Sequence, residues 1–363
     1  MKIVVDAREL DGRFRGVGVF IKGILEAIST FDRDNSYVLL MRDVKTLSKL
    51  KLSNNFSSYV VPGMIGVTDI VILPYMVNKV LKPDVLWCPS NNCFPFISKK
   101  ITIVSSIHDL MFFKYSYKFL SKQYFGSIYR KIFSTIAAKR ANLIHTPTRN
   151  NISEISEVLG VDKNNCFYTY EGINFIEKAD HAILDQLSLR GVRYIYSVAG
   201  LSPNKNFDMY LQSYRQLNRL PGMQDIKLVL SGCTKMQYQN LGPGIIITDY
   251  ITDDQKKSLF KNCCLYLSLS SEEGFGLPVL EAVYYNCLNI LISDIDNYKE
   301  IYEDYVSYTS INNGPEIVAN NIRQLLEEPS TLKDRTRLIS KCDWDNVGHI
   351  LLDKFNMLVG SKI

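Results

Sequence analysis

The chain has 363 residues, 46% apolar and 22% charged, which is a soluble globular balance and too long for one ordinary core, so two domains are expected. The net charge of +5 hides an asymmetry: residues 1–180 hold 24 Lys and Arg against 16 Asp and Glu (+8), and residues 181–363 hold 18 against 21 (−3). No stretch approaches the roughly 20 apolar residues of a membrane span, MKIVVDAREL has no signal-peptide core, and no nucleic-acid-binding motif accompanies the basic half.

Taken in chain order, the elements alternate. KIVVDA (2–7) reads as a strand and GVFIKGILEAI (18–28) as a helix. YVLLM, DVLWCP and ITIVSSIHD are further strands, followed by a helical stretch over about 117–140. LIHTPT (143–148) is a strand whose Thr148 can cap the helix 149–159. A stretch without strand pattern, 178–191, marks the seam. A second series follows: RYIYSVAG, helical FDMYLQSYRQL, IKLVLSG, GIIITDY, helical DDQKKSLFKN, CLYLSLS, NILIS and VSYTS. This alternation predicts an α/β chain of two Rossmann-like domains, 1–180 and 181–343, with parallel sheets facing a central cleft and ligands at the carboxyl ends of the strands. The eight cysteines form no C-x-x-C pair and read as reduced core thiols of a cytosolic protein. The four histidines offer no clustered zinc ligands.

The segment SSEEGFGLPVLEA (270–282) carries the chemistry. It follows a buried strand and opens a helix, with Pro278 in the first turn. The backbone N–H groups of Phe275, Gly276 and Leu277 then form an anion site at a helix N-terminus. Glu273 stands ahead of that site, where it can accept from hydroxyls, and Glu281 lies about a turn inside the helix. A phosphate bracketed by two hydroxyl-bearing groups is a nucleotide sugar. Singly, either glutamate reads as an ordinary helix acid; the joint E-x7-E pattern around G-F-G-L-P is far more specific.

EEGFGLPVLEA resembles the E-x7-E motif of the retaining glycosyltransferases of family 4, which have the GT-B fold. MKIVVDARELDGRFRGVGVFIKGIL is similar to the start of bacterial members that build surface polysaccharides, many of them mannosyltransferases using GDP-mannose. SIHDLMFF, YEGIN, AGLSPNKNFDMYL, LVLSG and TDYITDDQKKSLF resemble the family's other blocks, in the family's order. The resemblance implies that Glu273 binds the donor sugar and Glu281 the ribose. Lys205 would balance the leaving diphosphate; outside that context it reads as a solvated lysine. Asn204 stands where the family commonly has Arg, which removes one positive charge from the donor site. In RFRGVG, Gly16 and Gly18 are placed by the donor phosphates, though a turn that needs glycine explains them equally. His108 would lie against the donor sugar, positioning it and stabilising positive charge on the ring, with no role as a base required. TDYITD would line the base pocket through its backbone and Tyr250, which could equally be core.

SDID (293–296) contains D-x-D, but its place between strand and helix reads as a turn with an N-capping acid, so no metal and no cofactor are expected. The last helix, in 344–363, is expected to return to the first domain, as in the family. From Leu110 to Arg149 there are eight basic residues (including Lys114, Lys118 and Lys122) and no acid, interleaved with nine aromatics. That mixture fits docking on an anionic membrane, or aromatics packed in the core beneath a solvated cationic face. The implied protein is a cytoplasmic enzyme, peripheral on the inner face of the membrane. It would move mannose from GDP-mannose with retention onto a lipid-linked oligosaccharide in O-antigen-type synthesis. The alternatives are a UDP-sugar donor or a degenerate, non-catalytic partner subunit.

Overall fold

The structure is a computed structural model that describes every residue except 11–15, 62, 64–65, 116–121, 175, 201, 235–240, 329–332 and 361–363, with the backbone alone at 122 and 123. The chain divides into two compact units, Met1–Gly172 with Lys341–Ile363, and Ile173–Ser340. The division at 172/173 precedes the seam at 178–191 for a local reason. Lys257 donates to the carbonyls of Ile176 and Glu177, and the Asp180 N–H donates to the Asp254 carbonyl at 3.0 Å, so Ile176, Glu177 and Asp180 are tied into the second unit.

In the first unit, β1 (Lys2–Asp6), β2 (Ser36–Met41), β3 (Phe56–Val60), β4 (Val85–Cys88), β5 (Thr102–Ser106), β6 (Leu143–Thr146) and β7 (Cys166–Tyr168) form a parallel sheet in the order 3-2-1-4-5-6-7. Its central strands β4 and β5 are buried along their whole length because helices cover both faces. α1 (Val17–Phe31) packs Phe20, Ile24 and Ile28 against Val5 and Trp87. α2, over 68–81, joins two wide π-helical turns through Leu73–Tyr75, and packs Leu73, Met76 and Val77 on the other face. α3 (Lys122–Arg140) adds Ala137 to that cluster. α4 (Arg149–Leu159) is capped by Thr148, whose Oγ1 accepts from the Asn151 N–H.

The second unit repeats the plan with β8 (Tyr194–Val198), α5 (Phe207–Leu217), β9 (Lys227–Ser231), β10 (Ile245–Ile247), α6 (Asp253–Asn262), β11 (Leu265–Ser268), α7 (Leu277–Tyr284), β12 (Ile290–Ser293), α8 (Asp296–Tyr302), β13 (Ser307–Thr309) and α9 (Pro315–Glu327). The parallel sheet runs 10-9-8-11-12-13. β8 and β11 are therefore neighbours from which the chain winds in opposite directions, the switch point of the sheet. The two units have the α/β, Rossmann-like architecture of the GT-B fold.

The last helix, α10 (Trp344–Gly360), buries Trp344, Val347, Leu351 and Phe355 in the core of the first unit beside α1. The Trp344 indole is packed so closely that a Cβ on Gly23 or Gly172 would lie 2.3 or 2.5 Å from it. α2, α9 and the edge strands β3 and β7 have no counterpart in the sequence reading. The turn at SDID also differs: α8 starts after Ile295, which offers no side-chain cap, and Asp294 instead faces Lys299 at 3.8 Å. All eight cysteines are free thiols. Among the described residues, no helix is long and apolar enough to cross a membrane.

Candidate active site

The loops after β8 and β11 are stitched together by Asn204. Its amide donates to the Glu272 carbonyl at 3.0 Å, its own carbonyl accepts from the Ser271 N–H at 2.8 Å, and the residue is 3% exposed. Asn204 thus holds the acidic loop in place; the position that the family fills with Arg is occupied here by a buried brace. Next to it, Lys205 Nζ meets Glu273 Oε1 at 2.5 Å, with both side chains mostly covered. The structure therefore brings the expected diphosphate cation and the expected sugar-binding acid into one ion pair.

α7 opens at Gly276, whose φ of +88° is a left-handed conformation. A Cβ there would meet the Tyr298 ring at 2.5 Å, so glycine is required twice over. Tyr302 donates to the Gly276 carbonyl at 3.0 Å, and the Asn297 amide donates to the Glu273 carbonyl at 2.6 Å, so α8 fixes the loop from below. Phe275 is buried, while Leu277 is half-buried at the first helical position. The first N–H groups of α7 lack intrahelical acceptors and carry the positive end of the helix dipole.

About one turn along, Glu281 Oε1 lies 2.6 Å from Lys256 Nζ on α6, which also reaches Asp253 at 3.1 Å. Burial pushes the Glu281 carboxyl up, with Lys256 opposing in part. Burial pulls the Lys256 ammonium down, but Glu281 and Asp253 outweigh it and hold the lysine charged. Thr252 and Gln255 form a capping box at the start of α6. Tyr250, in the preceding loop, is 50% exposed and is therefore not core.

In the first unit, Gly16 caps α1 with a φ of +41°, with no atom of the described residues within 4 Å of where its Cβ would stand, whereas Gly18 is buried inside the helix. His108 follows β5 and is held on every side. Its N–H donates to Asn91 Oδ1 (2.7 Å), its carbonyl accepts from the Asn151 amide (2.9 Å), Nε2 faces the Pro89 carbonyl (2.8 Å) and Nδ1 faces Glu171 Oε1 (3.3 Å). A carbonyl can only accept, so Nε2 carries a proton. Burial opposes the charged ring, but Glu171 and Pro89 outweigh it and raise the His108 pKa. Beside it, His145 sits between Ser106 and Thr169 hydroxyls, stacked on Phe20, and burial together with the His108 charge lowers its pKa to about 3.

Sequence reasoning did not find Lys256, Asn297 or Glu171. Lys256 lies 25 positions before its partner on a helix that reads as solvated; YEGIN alone drew attention to the neighbourhood of Glu171. In the basic stretch, Phe112 and Phe133 are core, Lys114 pairs with Glu154 at 2.7 Å, and Tyr117, Lys118 and Phe119 lie outside the described residues, as does the Lys122 side chain. Among the described residues, no group of three or more His, Cys, Asp or Glu could hold a metal ion.

Residues 183–342 match the family described as Glycosyl transferases group 1. The chain is similar to the serotype-specific mannosyltransferase WbdA of Escherichia coli, 25% identical over 231 residues, which are 59% of this chain and 27% of WbdA. It is also similar to the O-antigen chain mannosyltransferase RfbU of Salmonella typhimurium, 22% identical over 72% of this chain and 70% of RfbU. The chain thus spans about a quarter of one of these relatives and about two thirds of the other. In overall structure it resembles Anabaena HepE, solved in complex with UDP, at a TM-score of 0.67 and 15% identity, with 98% of this chain and 100% of HepE covered. With E-x7-E closing the loop between β11 and α7, the chain carries a glycosyl transferases group 1 domain at 183–342 and has the GT-B fold.

Proposed function

We propose that the chain is a hexosyltransferase that moves mannose from GDP-mannose, with retention, onto a hydroxyl of a lipid-linked oligosaccharide during O-antigen-type polysaccharide assembly. The observation that carries this reading is the pair of lysine-bound glutamates flanking the start of α7, one on each side of an anion-attracting helix terminus. In it, Lys205 and the backbone at Phe275, Gly276 and Leu277 hold the diphosphate. Glu273 accepts from the sugar hydroxyls, Glu281 from the ribose, and Tyr250 borders the base. Asn204 supports this set by bracing the loop. The bond from the anomeric carbon to the β-phosphate oxygen breaks, and its electron pair leaves with the diphosphate. The acceptor hydroxyl adds on the same face, and its proton ends on the departing phosphate.

No divalent ion is needed in this reading, because Lys205 and the helix dipole supply the positive charge. Activity in excess EDTA should persist; complete loss, restored by Mn²⁺, would revive SDID as a metal site. Mannose is supported by the WbdA and RfbU likenesses, whereas HepE was solved with UDP, which keeps a UDP-sugar as the second reading. The basic half of the chain would meet anionic lipid at the cytoplasmic face, where a lipid-linked acceptor is presented. The test is a thermal-shift panel of GDP-, UDP-, ADP- and dTDP-sugars, followed by transfer to a lipid-linked acceptor with the product anomer read by NMR. GDP-mannose should raise Tm and yield the retained anomer. Stabilisation by a UDP-sugar alone would replace the donor, and binding without transfer or hydrolysis would make the chain a non-catalytic subunit.

A further inference from the structure

We infer that the outer faces of α2 and α3 form one surface that docks on a bilayer of anionic lipid. α2 buries Leu73, Met76 and Val77, yet its opposite side is also apolar: Ile70 is 45% exposed, Val71 59% and Tyr75 63%. α3 buries Phe133 and Ala137 and exposes Phe125 (55%), Ile128 (38%) and Ile132 (52%), the i, i+3, i+7 spacing of a single stripe.

The two stripes adjoin. Tyr129, next to Ile128 on α3, lies close enough to Asp69, next to Ile70 on α2, for that carboxylate to act on its hydroxyl. Ala137 shares a core cluster with Leu73, Met76 and Val77, so both helices lie over one face of the sheet. Folding has therefore left two neighbouring helices apolar on the outside as well as the inside. Monomeric proteins seldom expose contiguous apolar patches beyond a few hundred Å², and larger ones mark interaction sites.

Charge selects the occupant. Between Ile70 and Pro83, and between Leu110 and Arg149, the sequence has no acidic residue. Asp69 is turned inward to Arg8 at 2.8 Å and is buried. Lys79 on α2 and Lys139 on α3, seven residues beyond Ile132 and so on the same side, are exposed at the margin. A second copy of this chain would bring lysine against lysine. A surface that is apolar within and negative at its boundary matches all three properties, and anionic lipid presents it.

This inference rests on the proposed lipid-linked acceptor for its purpose, but its test does not depend on transfer. Full-length protein is floated with phosphatidylglycerol-containing vesicles or with phosphatidylcholine vesicles, in low and in high salt. The expected result is at least tenfold stronger binding to the anionic vesicles, weakened by salt. A Val71→Ser/Tyr75→Ser/Phe125→Ser/Ile132→Ser variant, and separately Lys79→Glu/Lys139→Glu, should each lower that binding at least tenfold. Their Tm should not fall, because all of these side chains are exposed. Equal binding to both vesicles, or unaltered binding in the variants, overturns the inference. So does a dimer in sedimentation that the serine variant abolishes, since that assigns the face to a second copy. Vesicle binding without sugar transfer leaves the surface standing and removes the proposed reaction; transfer without vesicle binding does the reverse.

Discussion

Each motif glutamate has a lysine of its own, and the two pairs differ in what the lysine is free to do. Lys205 sits beside Glu273 at the mouth of a helix N-terminus and can exchange its carboxylate for a phosphate. Lys256 is wedged between Glu281 and Asp253 and opposes the rise that burial forces on the Glu281 carboxyl. Lys256→Met should therefore weaken nucleoside diphosphate binding about tenfold or more by leaving a buried acid unpaired. In calorimetry that loss should shrink for a 2′,3′-dideoxyribose analogue, which cannot use Glu281. An equal loss for both ligands would show that Lys256 acts elsewhere. Glu273→Ala should cut transfer at least a hundredfold while folding survives, because the residue lies on a loop; normal turnover would reduce it to a helix-start acid. The two buried histidines make a pH prediction of opposite signs. His108, raised in the fold, contributes stability that is complete below pH about 6.5 and is lost as pH rises through its folded value. His145, lowered to about 3, contributes stability present above pH about 6.5, which declines as pH falls below that value because only the unfolded chain takes up the proton. Stability should decline from pH 6.5 to 5.5 with a slope that His145→Gln reduces by about one proton. An unchanged slope in urea titrations would place the effect on other groups.

At the scale of elements, the strand–helix alternation was legible because most strands here are continuous apolar runs bounded by polar turns. DDQKKSLFKN coincides with α6, and Thr148 caps α4 as its position suggests. α2 was not legible, and the reason is physical. Periodicity reveals a helix only when one side is polar, and VTDIVILPYMV is apolar on both sides, interrupted by Pro74 and rich in β-branched residues. β3 and β7 are edge strands with little burial, so their pattern is weak. In the site, E-x7-E was readable because strand, turn and helix residues sit together in the sequence, while its supports Lys256, Asn204 and Asn297 act across loops that only the fold brings together. That dependence makes the turn into α7 a point of high leverage. Gly276→Ala forces a side chain into a left-handed backbone and against Tyr298, and should cost about 1–3 kcal/mol. A denaturation midpoint that does not move would mean that α7 can start elsewhere.

At the scale of the molecule, the first unit is completed by the far end of the chain. Phe20 on α1 meets Trp344 edge-on at 6.0 Å, Phe31 stacks on His349, and Trp87 in the sheet meets Phe355 at 6.2 Å. Fully burying four large side chains of α10, Trp344, Val347, Leu351 and Phe355, is worth on the order of 6–12 kcal/mol, at roughly 1.5–3 kcal/mol each. A whole domain is stable by only about 5–15 kcal/mol. A chain ended after Cys342 should therefore lose the first unit's fold, with the apolar face of α1 uncovered, while 173–340 keeps its own sheet and core. Limited proteolysis should digest the first unit and leave a resistant fragment that starts near Ile173. If the donor site is as proposed, that fragment should still gain thermal stability from a nucleoside diphosphate, because Lys205, Glu273, Lys256 and Glu281 all lie within it. Full resistance of the truncated first unit would show that α10 decorates the core without holding it. Loss of both units at once would show that the second fold depends on the first.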